Sequence, residues 1–168
     1  MDDERFFDSV IYICRHSNNG SWGFIINQPT EFSIGELLDK LDLPTNEHTA
    51  QTPAMHGGPV RPEAGFVLHT GLPDYKSSFV IAENVCMTTS KDIIERLGQG
   101  QLRHSMLCMG YCNWEKGQLE QEIANGDWLV CPADLQTLFA LPFEERLAHS
   151  YAKLGVEPTK LFHATRSA

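Results

Sequence analysis

MLCMGYCNWEKGQLEQEIANGDWLVC, residues 106–131, decides how this chain is read. An apolar run from Met106 to Met109 meets Gly110, and a short aromatic loop (Tyr111, Asn113, Trp114) follows. A helix comes next, then an Asn125-Gly126 stop and a second apolar run. The order is strand, loop, helix, strand. Leu119 and Ile123 are four apart and share one helix face, while Glu120, Gln121 and Glu122 line the rest. Asn125-Gly126 supplies the left-handed conformation that ends a helix cheaply. Trp128 to Cys131 is too brief for a helix and suits a buried strand. Gly110 and Gly117 bracket the aromatic loop, and glycine at such corners marks a sharp turn or a close backbone approach. Trp114 reads first as a packing plug in this corner. The second reading is a ligand loop with Trp114 and Gln118 on its wall.

Upstream, Val10–Cys14 (VIYIC) is continuously apolar and predicts a strand buried on both faces. Asn19-Gly20 is a hairpin signal, and Trp22–Ile26 is the return strand, closed by Asn27-Gln28-Pro29. Ser33-Ile34-Gly35-Glu36 has capping-box spacing. Leu37, Leu38 and Leu41 give that helix its apolar face, and Pro44 stops it. Residues 45–52 are expected to be loop. Further strands are expected at Ala54–His56, Gly65–Thr70, Phe79–Ala82 and Val85–Met87, the last two joined at Glu83-Asn84. Thr88-Thr89-Ser90 opens a helix with Ile93, Ile94 and Leu97 inward and Gly98 as its stop. Downstream, Asp134 caps a short helix to Phe139. Phe143, Leu147, Tyr151 and Leu154 mark a last amphipathic helix, ended by Gly155 with Pro158 beyond. Paired strands with irregularly placed helices predict an α+β domain.

The chain has 168 residues, enough for one domain with a real core. Its net charge of −9 repels phosphate backbones, and its 13 basic residues are scattered, which argues against nucleic acid as the partner. No apolar run approaches a membrane span and no signal peptide is visible, so a cytoplasmic location is expected. The five cysteines include no CxxC pair, and all but Cys112 fall in expected strands. They read as reduced, buried thiols. Cys108-x3-Cys112 lacks a second Cys or His pair at finger-like spacing, so no metal site is expected, and no cofactor motif is present.

Three places could carry chemistry. His56-Gly57-Gly58 is similar to the oxyanion-hole loop of α/β-hydrolases, but the chain has no G-x-S-x-G elbow, and a strand end with two turn glycines accounts for it. Cys14, two residues before His16, is a candidate thiol, yet its apolar run tends to raise a thiol pKa. The helix start at Thr88, Thr89 and Ser90 offers free amides and three hydroxyls to an anion, or is an ordinary cap.

VIYICRH, WGFIINQP, HGGPV, GFVLH, TTSKDI, GYCNWEKGQLEQEI and WLVCPAD occur in this order. The series resembles the YqgE/AlgH family of small bacterial proteins, from Phe6 to Leu161. The resemblance implies an α+β fold in which a bent, mixed or antiparallel sheet forms a partly open pseudo-barrel flanked by about four helices. It brings no established catalytic residue or cofactor, and one branch of the family is described as a regulator of alginate production. It implies a non-enzymatic regulatory role through an unknown protein partner. The alternative is a hydrolase or thiol-dependent enzyme using His56-Gly57-Gly58 and Cys14. Cys86, Cys108 and Cys112 stand where small residues are usual in similar proteins, whereas Cys14 is a thiol the family often shares. Similar proteins also open with an apolar lead before the segment matching Asp3–Phe7. The chain is therefore expected to lack a first strand of about five to six residues, and to self-associate through the edge so bared.

Overall fold

The structure, a computed structural model, describes residues 8–154 and the backbone of Arg166–Ser167. It assembles on one ten-residue strand, β8 (Ser105–Trp114). The loop expected at Tyr111–Trp114 is therefore strand. Gly110, at φ 77°, does not end β8; it marks the point where one edge of the strand changes partner. Before it, β4 (Pro53–His56) runs parallel beside Cys108 and Met109. After it, β2 (Gly20–Ile25) runs antiparallel beside Cys112 to Trp114. The opposite edge carries β5 (Val60–His69), antiparallel along most of its length.

The remaining strands extend this frame. β1 (Ile11–Ser17) forms the expected hairpin with β2, with Asn18-Asn19 as the turn and Gly20 opening the return strand. β7 (Val85–Thr88) pairs with β5 and with β6 (Ser78–Ala82). The order is β1-β2-β8-β5-β7-β6, with β3 (Pro29–Ser33) joined through β4, giving eight strands. The outer strands β1 and β6 approach each other, so the bent sheet nearly closes into a barrel. β3 begins at Pro29, where the return strand was expected to close, and runs through residues to which no element was assigned; β5 begins five residues earlier than the apolar run at Gly65 suggested, and a bulge separates Val60 from Gly65. Of the second apolar run only Trp128–Leu129 (β9) is strand, paired in parallel with β10 (Arg166–Ser167). Val130 is exposed and Cys131 is buried outside any strand.

Period-two alternation explains why the strand sequences are continuously apolar. Tyr12, Phe24, Leu68, Met106 and Cys108 enter one core cluster. Their neighbours Ile11 and Ile25 enter a second with Cys112, Trp114, Leu119 and Trp128. Val67 and Leu107 enter a third with Ile34, Leu38, Ile93 and Leu97. With both faces covered, no polar alternation remains to be read.

Helices close the outer faces. α1 (Ile34–Asp39) has the expected cap: Ser33 Oγ accepts from the Glu36 N–H at 3.1 Å. Leu41 falls outside it and is exposed. α2 (Glu47–Gln51) lies where loop was expected, opened by Asn46 Oδ1 accepting from the Thr49 N–H at 2.7 Å. A polar helix of one turn has no periodicity to detect. α3 (Lys91–Gly98) buries Ile93 and Leu97 as expected, but Gly98 is its buried last residue and Gly100, at φ 70°, follows the end. α4 (Gln118–Ala124) turns Leu119 and Glu122 inward and leaves Ile123 exposed, a rotation from the expected face. Asp134 caps a π-helical turn, Gln136–Ala140, through the Thr137 N–H at 2.7 Å. A 3-10 turn (Phe143–Glu145) then leads into α5 (Arg146–Lys153), making five α-helices among the described residues. The expected stop at Gly155 and Pro158 lies outside those residues, as does the segment Asp3–Phe7 next to the expected missing lead. No helix among them is long and apolar enough to cross a membrane.

Candidate functional site

His56, Gly57 and Gly58 sit where β4 leaves β8. The Gly57 N–H donates to the Met109 carbonyl at 2.8 Å, and the Gly57 carbonyl accepts from the Ile25 N–H at 2.8 Å and the Cys112 thiol at 3.5 Å. The His56 N–H donates to the Gln28 carbonyl at 2.7 Å. A Cβ on Gly57 would strike the Gly110 carbonyl oxygen, and one on Gly58 the Tyr111 carbonyl. These glycines let two backbones cross. Two of the loop's amides are engaged by main-chain carbonyls, so they are not at hand for an oxyanion.

Cys14 occupies a bulge in β1 between Ile13 and Arg15. Burial, with Cys108 nearby, pushes its thiol well above the ordinary value. Burial pushes Cys108 up to about 12, against the opposing pull of the Arg146 charge and with a further push from Cys112. No hydrogen bond joins Cys14 to His16 or His56 among the described residues. His16 Nδ1 instead lies 2.5 Å from Ser21 Oγ, and its Nε2 lies 4.0 Å from Glu120.

The Thr88-Thr89-Ser90 hydroxyls do not converge. Thr88 ends β7, fully buried, with Oγ1 2.7 Å from His69 Nε2 and 2.8 Å from Ser78 Oγ. His69 Nδ1 faces the Thr70 carbonyl at 2.9 Å and must donate there. His69, Thr88 and Ser78 thus form one chain of side-chain hydrogen bonds. Ser90 Oγ accepts from the Ser77 N–H at 3.2 Å and donates to the Asp92 carboxylate. Asp92 accepts from the Ile93 and Lys76 N–H groups, each at 3.0 Å. Its pKa is lowered, chiefly by the Ser90 hydrogen bond. The helix thus opens on its own carboxylate.

Trp114 and Gln118 are brought together, but by a residue the sequence did not single out. Glu122 Oε1 accepts from Trp114 Nε1 at 3.1 Å and Trp128 Nε1 at 2.7 Å, and Oε2 accepts from Gln118 Nε2 at 3.0 Å. The two indoles meet edge to face at 5.9 Å. This is a buried clasp between β8, α4 and β9.

A separate cleft of about 650 Å³ opens between α2, the start of β8 and the segment from Phe139 to Arg146. None of the residues singled out from the sequence lines it. Arg103, Arg146, His48 and His104 do, and no Asp or Glu does. A neighbouring cleft of about 740 Å³ shares Arg103 and His104 and adds Arg96 and Asp74. The His104 ring stacks on Phe139, centroids 6.0 Å apart. Arg146 is only 8% exposed. Its Nη1 donates to the Ile26 carbonyl, while its buried Nε–H has no acceptor. Burial lowers its pKa, with Cys108 and Glu144 acting in the opposite direction. These basic groups are dispersed in sequence, at positions 48, 96, 103, 104 and 146, so no local run announced them.

The family model described as AlgH-like matches residues 1–159. The UPF0301 protein of Psychrobacter cryohalolentis is 51% identical over 159 residues, covering 93% of this chain and 85% of that protein. Its counterpart in Thioalkalivibrio sulfidiphilus is 42% identical over 158 residues, covering 94% and 85%. The solution structure of the AlgH protein from Pseudomonas aeruginosa superposes with a TM-score of 0.81 at 36% identity, covering 95% of this chain and 86% of that one. A crystal structure from Corynebacterium diphtheriae shares the fold at TM-score 0.60 and 23% identity, covering 81% and 72%.

Proposed function

The chain belongs to the AlgH-like family, and from that premise we propose that it is a cytoplasmic, non-enzymatic regulator acting through contact with another protein. One observation carries this reading: the groups that could do covalent chemistry are engaged in holding the fold. Gly57 joins β2 to β8, the Cys14 and Cys108 thiols are held protonated by burial, Thr88 is bonded to buried His69, and Ser90 is bonded to the Asp92 carboxylate of its own helix. The five free cysteines suit a reducing compartment. The net charge of −9 favours a protein partner with a basic surface over nucleic acid.

Iodoacetamide labelling of the native protein, run beside turnover of an activated ester, tests the reading. Every thiol should react more slowly than free cysteine at neutral pH, and ester turnover should be unchanged by Cys14→Ser. Fast, single-site labelling of Cys14 that abolishes turnover would establish the thiol-enzyme alternative instead.

A further inference from the structure

We infer that the cleft lined by Arg146 and Arg103 binds a small organic anion: a carboxylate or phosphate head on an apolar body. This goes beyond the protein-contact reading and does not depend on it. The central observation is Arg146. It is 8% exposed, lines the cleft and leaves its Nε–H without an acceptor. Buried guanidinium groups ordinarily hold a carboxylate; among the described residues no salt bridge involves Arg146, and the Glu144 carboxylate acts on it only at longer range. Its Nη1 is tied to the Ile26 carbonyl, so the side chain is already held in place. The Nε–H is itself buried, so the acceptor it lacks must enter past the cleft wall; a guanidinium edge matches carboxylate and phosphate oxygens in plane.

The rest of the lining agrees. The chain has 22 acidic residues, yet none lines this cleft, while Arg103, His48 and His104 do. An acidic protein that keeps one concave surface free of carboxylates concentrates anions there. The walls between the basic groups are mixed: Met55 and Leu107 are apolar, Asn46, Thr49 and Ser105 polar. At about 650 Å³ the cleft has the size and mixed character of a small-molecule site.

The test uses octanoate, octyl phosphate and octanol, titrated calorimetrically and by amide chemical shifts on the full chain. At least one of the two anions should bind at a single saturable site, roughly tenfold tighter than octanol. The shifts should centre on Gly100, Ser105 and Leu141. Whichever anion binds more tightly identifies the head group. Arg103→Gln should weaken the anion about fivefold at unchanged Tm. Arg146→Lys keeps the charge but loses the fork, and should weaken it further. If Arg146→Lys fails to fold, Arg103→Gln and His104→Gln decide the matter. Octanol binding as tightly as both anions would overturn the inference. So would shifts elsewhere, indifference to Arg103→Gln, or no saturation by either anion at about 10 mM.

Discussion

Trp128 Nε1 donates to Glu122 Oε1 at 2.7 Å, and the same oxygen accepts from Trp114 Nε1. Two indoles from β8 and β9 are thus held on one carboxylate of α4, itself only 8% exposed. Removing the acceptor takes this carboxylate from both buried indole N–H groups. Glu122→Leu should cost about 2–4 kcal/mol in urea unfolding, and Glu122→Gln about 1–2, since it retains one oxygen. Losses below about 0.5 kcal/mol for both variants would show that water replaces the carboxylate.

Gly110 and Gly117 have nearly the same backbone angle, φ 77° and 78°, but different surroundings. A Cβ on Gly110 meets the Gly58 carbonyl, whereas one on Gly117 meets nothing within 4 Å. Gly117→Ala should therefore cost only the left-handed strain, about 1 kcal/mol. Gly110→Ala should cost at least about 3 kcal/mol, because two backbones must part. Equal losses in parallel denaturant titrations would remove the crossing as the reason for glycine.

Asp134 has its pKa lowered to about 2. Burial works in the other direction but is outweighed by the Lys153 Nζ hydrogen bond at 2.7 Å and the Thr137 N–H. The folded value lies below the unfolded one, so the contribution is present above about pH 4 and is lost as pH falls toward 2. Asp134→Asn should flatten the stability profile in that window. The carboxyl is partly exposed, so at neutral pH the loss should be close to that of a cap, about 1 kcal/mol. An unchanged acid limb would remove Asp134 as its source.

Cys108 titrates in the opposite sense. Its folded pKa is raised to about 12, chiefly by burial. The stability it contributes is complete below the unfolded thiol value near 8.5 and falls as pH rises toward 12. Tm should decline through that window, and Cys108→Ala should decline less steeply from its own lower starting point. Parallel slopes for the two proteins would assign the alkaline loss to other groups, such as Tyr12, whose phenol burial raises to about 12.

Much of the fold was legible locally. Ser33 and Glu36 announced a capped helix, Asn125-Gly126 a helix end and Asp134 a helix start, because each interaction closes within four residues. The apolar runs marked the strands, though not their ends. β8 was cut short at Gly110 because a positive φ inside a strand and one in a turn look alike in sequence. α2 went unseen because five polar residues carry no period.

The sequence by itself determined that this is an α+β domain with continuously apolar strands, an acidic surface and no local catalytic motif. Its motif series also pointed to the family. Tertiary structure alone decided what the glycines of HGG are for, since their reason is a chain crossing at Gly110, more than fifty residues away. Tertiary structure also rotated α4, because two indoles placed by β8 and β9 require Glu122 inside, and helical periodicity counts only apolar residues. The cleft of Arg103 and Arg146 was invisible for the same physical reason. Its cations lie on separate elements, and only folding brings them to one surface and buries Arg146 there with its Nε–H lacking an acceptor.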